Sequence, residues 1–134
     1  MLEAHDTLGI LTLYAQYNRC IDAGDSVAWA RTFIEGGVFC HPTRDFVGRS
    51  QLERFVKDRT VKLATHPCAE QRHWNDAITV EGSANEAAGA CLLLVWGSRR
   101  DTGAPEVVAR GHYIDELVKV DSAWHFRRRT LRVD

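Results

Sequence analysis

The chain has 134 residues, 45% hydrophobic and 26% charged, with a formal net charge of -1. That length suits one domain, residues 1–134, with a core of its own. The balance excludes a disordered chain, a disulfide scaffold and the basic footprint of a nucleic-acid binder.

Asp6 can cap a first helix over about Thr7 to Ala23, whose Ile10, Leu13, Tyr14, Tyr17 and Ile21 recur at helical spacing. Gly24 supplies its left-handed stop. Asp25 or Ser26 then caps a shorter helix with Trp29, Ala30 and Phe33 on one face, ended by Gly36 and Gly37. Val38 to His41 reads as a short strand stopped by Pro42. Ser50 with Glu53 forms a capping box that opens a third helix with Leu52, Phe55 and Val56 inward. From Gln71 the texture changes to four antiparallel strands, separated by turns at Gly82 to Asn85, at DTGAP and at DSA.

Cys91 to Trp96 is apolar at every position, so one face of that strand meets the helices and the other needs a second cover. With all three helices spent, the expected cover is a second copy of the chain, a homodimer packed through the outer sheet face. No apolar run reaches the length of a membrane span, and MLEAHDTLG carries acids where a signal peptide carries lysines, so a cytoplasmic location is expected. Cys20, Cys40, Cys68 and Cys91 form no C-x-x-C pair, and the histidines show neither H-x-H nor H-E-x-x-H spacing. Neither a metal nor another cofactor is expected.

Six pieces carry a family resemblance: Y-x-x-x-x-D-x-G-D (Tyr17, Asp22, Gly24, Asp25), W-x-x-x-F (Trp29, Phe33), Phe46 to Gly48, R-H-x-x-x-x-x-x-V-E-G from Arg72, G-H-Y-I-D-E-L from Gly111, and W-H-F-R-R-R from Trp124. In this order the chain resembles the SnoaL-like branch of the nuclear-transport-factor-2-like superfamily. The resemblance implies an α+β fold, a cone-shaped barrel of three helices packed on a strongly curved, mainly antiparallel sheet. It also implies an apolar pocket between helices and sheet. Members include scytalone dehydratase, bile-acid dehydratase, ketosteroid isomerase, limonene epoxide hydrolase, polyketide cyclases and the small subunit of ring-hydroxylating dioxygenases, so the fold does not fix the function.

Tyr17 shares a helical face with Tyr14 and Ile21, so its ring points inward. It is either a core tyrosine or, as in the isomerase and dehydratase members it resembles, a donor to a substrate oxygen that becomes an enolate. Asp22 falls at the negative end of the first helix, an unfavourable place for a carboxylate. It is either a solvated turn residue or, by the same resemblance, the support of a catalytic histidine. Strand alternation puts Gln71, His73 and Asn75 on one face, making His73 the candidate general base if that face is the inner one. His41 precedes Pro42 where the isomerase has an aspartate base, so it is a second candidate base or a pocket wall. Arg129 matches a recurrent arginine of SnoaL-like endings, but alternation from Trp124 places it on the opposite face, so a pocket role for both needs a bulge. Tyr113 is placed inward by resemblance. Phe33, Trp96 and Tyr14 complete the expected lining.

The resulting expectation is a cofactor-free lyase (dehydratase) or isomerase. It would act by proton abstraction on a small apolar oxygenated molecule such as a steroid, terpenoid or polyketide, with Tyr17, Asp22 and His73 as catalytic residues. The alternative is a non-catalytic ligand-binding module or a dioxygenase small-subunit scaffold.

Overall fold

The computed structural model describes residues 1–134. Three helices, α1 (Ala4–Ala23), α2 (Ser26–Ala30) and α3 (Gly48–Leu63), cover one face of a sheet built from β1 (Phe33–Cys40), β2 (Asp45–Val47), β3 (Cys68–Gly82), β4 (Glu86–Arg99), β5 (Pro105–Val120) and β6 (Ala123–Val133). The strand order is β2-β1-β6-β5-β4-β3, with β1 parallel to β6 and every other pair antiparallel. This is the α+β cone with a mainly antiparallel sheet, enlarged from four long strands to six by the β1–β2 hairpin. No helix is long and apolar enough to cross a membrane.

The apolar stripe of α1 is buried as its spacing requires, and Gly24 ends the helix at φ 70° with its N–H on the Cys20 and Ile21 carbonyls. Asp6 is not the cap: α1 starts earlier, and Asp6 is buried inside it, accepting from Lys119 Nζ at 2.6 Å and Trp124 Nε1 at 3.1 Å. A cation and an indole brought in by β5 and β6 outcompete the helix's own N–H groups. Asp25 caps α2, accepting from the Ala28 N–H at 3.1 Å. That helix stops at Ala30, so Phe33 lies on β1 opposite Phe126 rather than on a helix; pairing with β6 overrides helical spacing. α3 opens before the Ser50–Glu53 box, and Gln51 Oε1 accepts from the Val47 N–H at 2.9 Å.

Irregularities in the strand pairing curve the sheet. Bulges in β3 put Glu70 at φ 52° and Ala77 at φ 49°. In β6, Glu116 pairs with Arg128 and Leu117 with Phe126, which leaves Arg127 extra. That extra residue reverses the alternation, so Trp124, Phe126 and Arg129 all face the helices. The inner sheet face and the helices enclose an aromatic core of Tyr14, Tyr17, Trp29, Phe33, Phe39 and Phe126, each at most 2% exposed.

Candidate active site

The last turn of α1 and the start of β3 meet at one contact. Asp22 Oδ1 lies 2.7 Å from His73 Nδ1, and both Asp22 oxygens lie 3.2 Å from the His73 backbone N–H. Because an ionised carboxylate only accepts, the neutral imidazole carries its proton on Nδ1 and leaves the Nε2 lone pair free. Burial holds the His73 pKa below its ordinary 6.5, although Asp22 pulls the other way. The His73 side chain is 7% exposed and that of Asp22 21%, so the pair stands at the rim of the barrel. Asn75, two residues on along the same face, accepts from Asn18 Nδ2 at 2.8 Å and ties β3 to α1.

Deeper in, the Tyr17 hydroxyl donates to that of Tyr113 at 3.4 Å. Below them Arg129, fully buried, places its guanidinium carbon 3.5 Å from the Tyr113 ring centre and 4.3 Å from that of Tyr17. Its charge is balanced by Asp115, with Nε 3.0 Å from Oδ1, and the Tyr14 hydroxyl donates to Oδ2 at 2.6 Å. Burial pushes the Tyr14, Tyr17 and Tyr113 hydroxyls above the ordinary phenol value and keeps them protonated donors. Burial works against the Arg129 charge too, but Asp115 and the phenols outweigh it and hold its pKa up. Arg129 Nη2 donates to Cys91 Sγ at 3.5 Å, while Nη1 has no acceptor. Burial pushes the Cys91 thiol up to about 11, so it stays neutral beside the arginine.

Gly89 makes this arrangement possible. It pairs with Asp115 across β4 and β5, and a side chain there would collide with the Tyr14 hydroxyl.

Two residues of this cluster were given no role by the sequence. Asp115 belongs to the G-H-Y-I-D-E-L piece and lies two positions after Tyr113, so inward alternation marks it, yet nothing in its surroundings names its partner. Arg59 follows Phe55 by one helical turn on α3 and reaches the C-terminal end of α1, where Nη1 donates to the Ile21 carbonyl at 3.4 Å. His41 sits beside Phe55, ring centres 5.5 Å apart, with Nδ1 2.9 Å from Thr43 Oγ1; burial and then Lys62 lower its pKa. His41 thus packs with Phe55, Arg59 meets the end of α1 that carries Asp22, and Tyr17, Phe33, Tyr113 and Arg129 are buried more deeply.

Two expectations are corrected here. Trp96 does not line the interior: on β4 Cys91, Leu93 and Val95 point inward, which turns Leu92, Leu94 and Trp96 outward and leaves Trp96 38% exposed. The expected opening between helices and sheet is also closed over: Tyr17, Phe33, Phe126 and Arg129 are fully buried among packed aromatic rings. On the opposite face of the sheet a groove of about 1020 Å³ runs between Trp74, Leu92, Leu94 and Trp96. No group of three His, Cys, Asp or Glu side chains is placed to hold a metal ion.

Comparison with solved structures gives the same architecture throughout. The Rv3472 protein of Mycobacterium tuberculosis, described as of unknown function, is 26% identical, with a TM-score of 0.85 over 96% of this chain and 72% of its own. Aln2 from a Streptomyces species is 21% identical, with a TM-score of 0.87 over 100% and 94%. A protein of Novosphingobium aromaticivorans provisionally named scytalone dehydratase is 22% identical, with a TM-score of 0.80 over 96% and 84%. No functionally curated protein matches the chain. The family model described as the SnoaL-like domain matches residues 2–130, and the chain belongs to that family.

Proposed function

We propose that the protein is a cofactor-free lyase or isomerase that removes a proton alpha to a carbonyl group. The observation that carries this reading is the Asp22–His73 contact at 2.7 Å, at the end of the helix whose inner face carries the buried Tyr17. Asp22 fixes the imidazole tautomer, and Nε2 takes the proton from carbon. A pKa below 6.5 keeps that nitrogen unprotonated at neutral pH. As the carbonyl oxygen gains charge, the Tyr17–Tyr113 pair donates to it, polarised by the Arg129 guanidinium underneath. The imidazolium then returns its proton. Delivered to a beta hydroxyl it releases water and leaves a carbon–carbon double bond; delivered to another carbon it completes an isomerisation. Entry of a substrate requires rim side chains to move, since Tyr17 and Tyr113 are buried.

The neighbour provisionally named scytalone dehydratase fits the dehydration branch. A panel of apolar beta-hydroxy ketones, followed for loss of water and for deuterium uptake at the alpha carbon, tests both branches. His73→Ala should lower the rate at least about a hundredfold. Near-normal turnover by that variant would remove His73 from the reaction, and inert ketones throughout would favour a ligand-binding module.

The proposal extends to a homodimer. The outer sheet face exposes Trp74, Leu92, Trp96 and Ile114, and Arg72 and Arg110 line its groove together with Glu70 and Asp76. An apolar patch with both charge signs at its edge can meet its own copy across a two-fold axis.

A further inference from the structure

α3 presents Arg59 to the rim, and the structure leaves that guanidinium short of partners. It is half-buried, no carboxylate comes within ion-pair distance, and its one hydrogen bond is the 3.4 Å contact with the Ile21 carbonyl. That bond complements the negative end of α1 but uses one of five N–H groups. A guanidinium withdrawn from water without an anion is costly to the folded state, and the remaining donors form the planar fork that matches a carboxylate. Through the Ile21 carbonyl it adjoins the helix turn that carries Asp22. Burial lowers its pKa, while Asp22, Tyr17 and Tyr113 work to raise it. From there it in turn acts on His73. Phe55 lies one turn earlier on the same helix and stacks on Trp29, with ring centres 5.5 Å apart, so flat apolar surface adjoins the cation.

We infer that Arg59 is a substrate-binding residue, and that the molecule bound beside His73 is an aromatic or polycyclic carboxylate whose anion pairs with the Arg59 fork. The proposal rests on the site described above and narrows its substrate to an acid. The carboxylate would sit at the rim, the reacting carbonyl would point inward to the tyrosine pair, and the carbon acid would lie between them near His73. An unpaired cation at the entrance also selects for acids over neutral molecules of the same shape.

The test uses the full chain and a matched pair of probes, 2-naphthoate and 2-naphthamide, with affinities measured by titration calorimetry. The acid should bind at least tenfold more tightly than the amide. Arg59→Met should bring the two within about twofold by weakening the acid, and Arg59→Lys, which keeps the charge but not the fork, should fall between. Circular dichroism confirms that each variant folds, and the wild-type preference stands as a test if one does not. Equal affinities in the wild type, binding of neither probe, or a preference that survives Arg59→Met would each overturn the inference. Because the readout is binding, a protein that abstracts no proton still passes or fails it, so the two readings fall separately.

Discussion

Replacing Asp22 by Asn probes the dyad without any knowledge of the substrate. In the native pair the carboxylate accepts the Nδ1 proton at 2.7 Å. The amide can present its oxygen either to that proton or to the His73 backbone N–H, or turn its NH2 group toward Nδ1. The last choice moves the imidazole proton to Nε2 and removes the lone pair that a base needs. Asp22 also raises the His73 pKa against burial. A hydrogen bond to a charged group is worth about 1.5–3 kcal/mol, so losing the charge should lower the His73 pKa further. The assay is nitrogen-15 and carbon-bound proton NMR of the imidazole across a pH titration, in which the two tautomers give different ring nitrogen shifts. Wild type should show Nδ1–H and the variant mainly Nε2–H with the lower pKa. A variant that keeps Nδ1–H, or whose His73 pKa rises, would refute the claim that Asp22 sets the state of the base.

Removing Arg129 leaves Asp115 buried without its cation. Arg129→Met should therefore cost about 3–5 kcal/mol in urea denaturation; adding Asp115→Asn should return a large part of it, and a loss below about 1 kcal/mol would contradict the pairing. His73 also makes stability depend on pH. Its folded pKa lies below the unfolded 6.5, so its contribution is complete above 6.5 and is lost as pH falls from there through the folded pKa, because the unfolded chain binds the proton first. The melting temperature should fall on acidification below 6.5 by less in His73→Gln than in wild type, and equal falls would assign the effect elsewhere. Gly89→Ala should displace the Tyr14 hydroxyl from Asp115 and cost about 1–3 kcal/mol, as overpacking does, with unchanged stability arguing against the close approach. Leu92→Lys on the outer sheet face should convert the proposed dimer to monomer in sedimentation velocity; a wild type that sediments as a monomer would dispose of that interface.

Local pattern made the helices and long strands readable, and tertiary competition hid the rest. The α1 stripe and the Gly24 stop depend on neighbours a few residues away, so spacing finds them. Asp6 looked like a cap because its partners, Lys119 and Trp124, arrive from the far end of the chain. Phe33 kept helical spacing with Trp29 although β6 claims it for the sheet. Period-two alternation puts Gln71, His73 and Asn75 on one face without saying which, and the same rule, applied to β4, sends Trp96 to the face opposite Cys91, Leu93 and Val95. The Arg129 position needed a bulge, and sequence names the need without naming Arg127 as the extra residue. Arg59 was missed for a different reason. A lone arginine on an amphipathic helix reads as solvated surface until the helix that it faces is known to end in a carboxylate.

That carboxylate now has a physical account. At an exposed helix C-terminus, Asp22 would cost a few tenths to about 1 kcal/mol against the last carbonyls of α1. Here the His73 backbone N–H and its Nδ1–H converge on the carboxylate, and Arg59 donates to the Ile21 carbonyl one residue before it. Each of these groups offsets the same concentration of negative charge, and two of them belong to the proposed base. The helix end therefore holds the imidazole as much as the imidazole relieves the helix end. A substitution at any one of Asp22, Arg59 or His73 should consequently change the other two, with coupling energies above the few tenths of a kcal/mol expected for independent sites. Double-mutant cycles on stability that return additive values for all three pairs would show that the carboxylate is held by something other than this cluster.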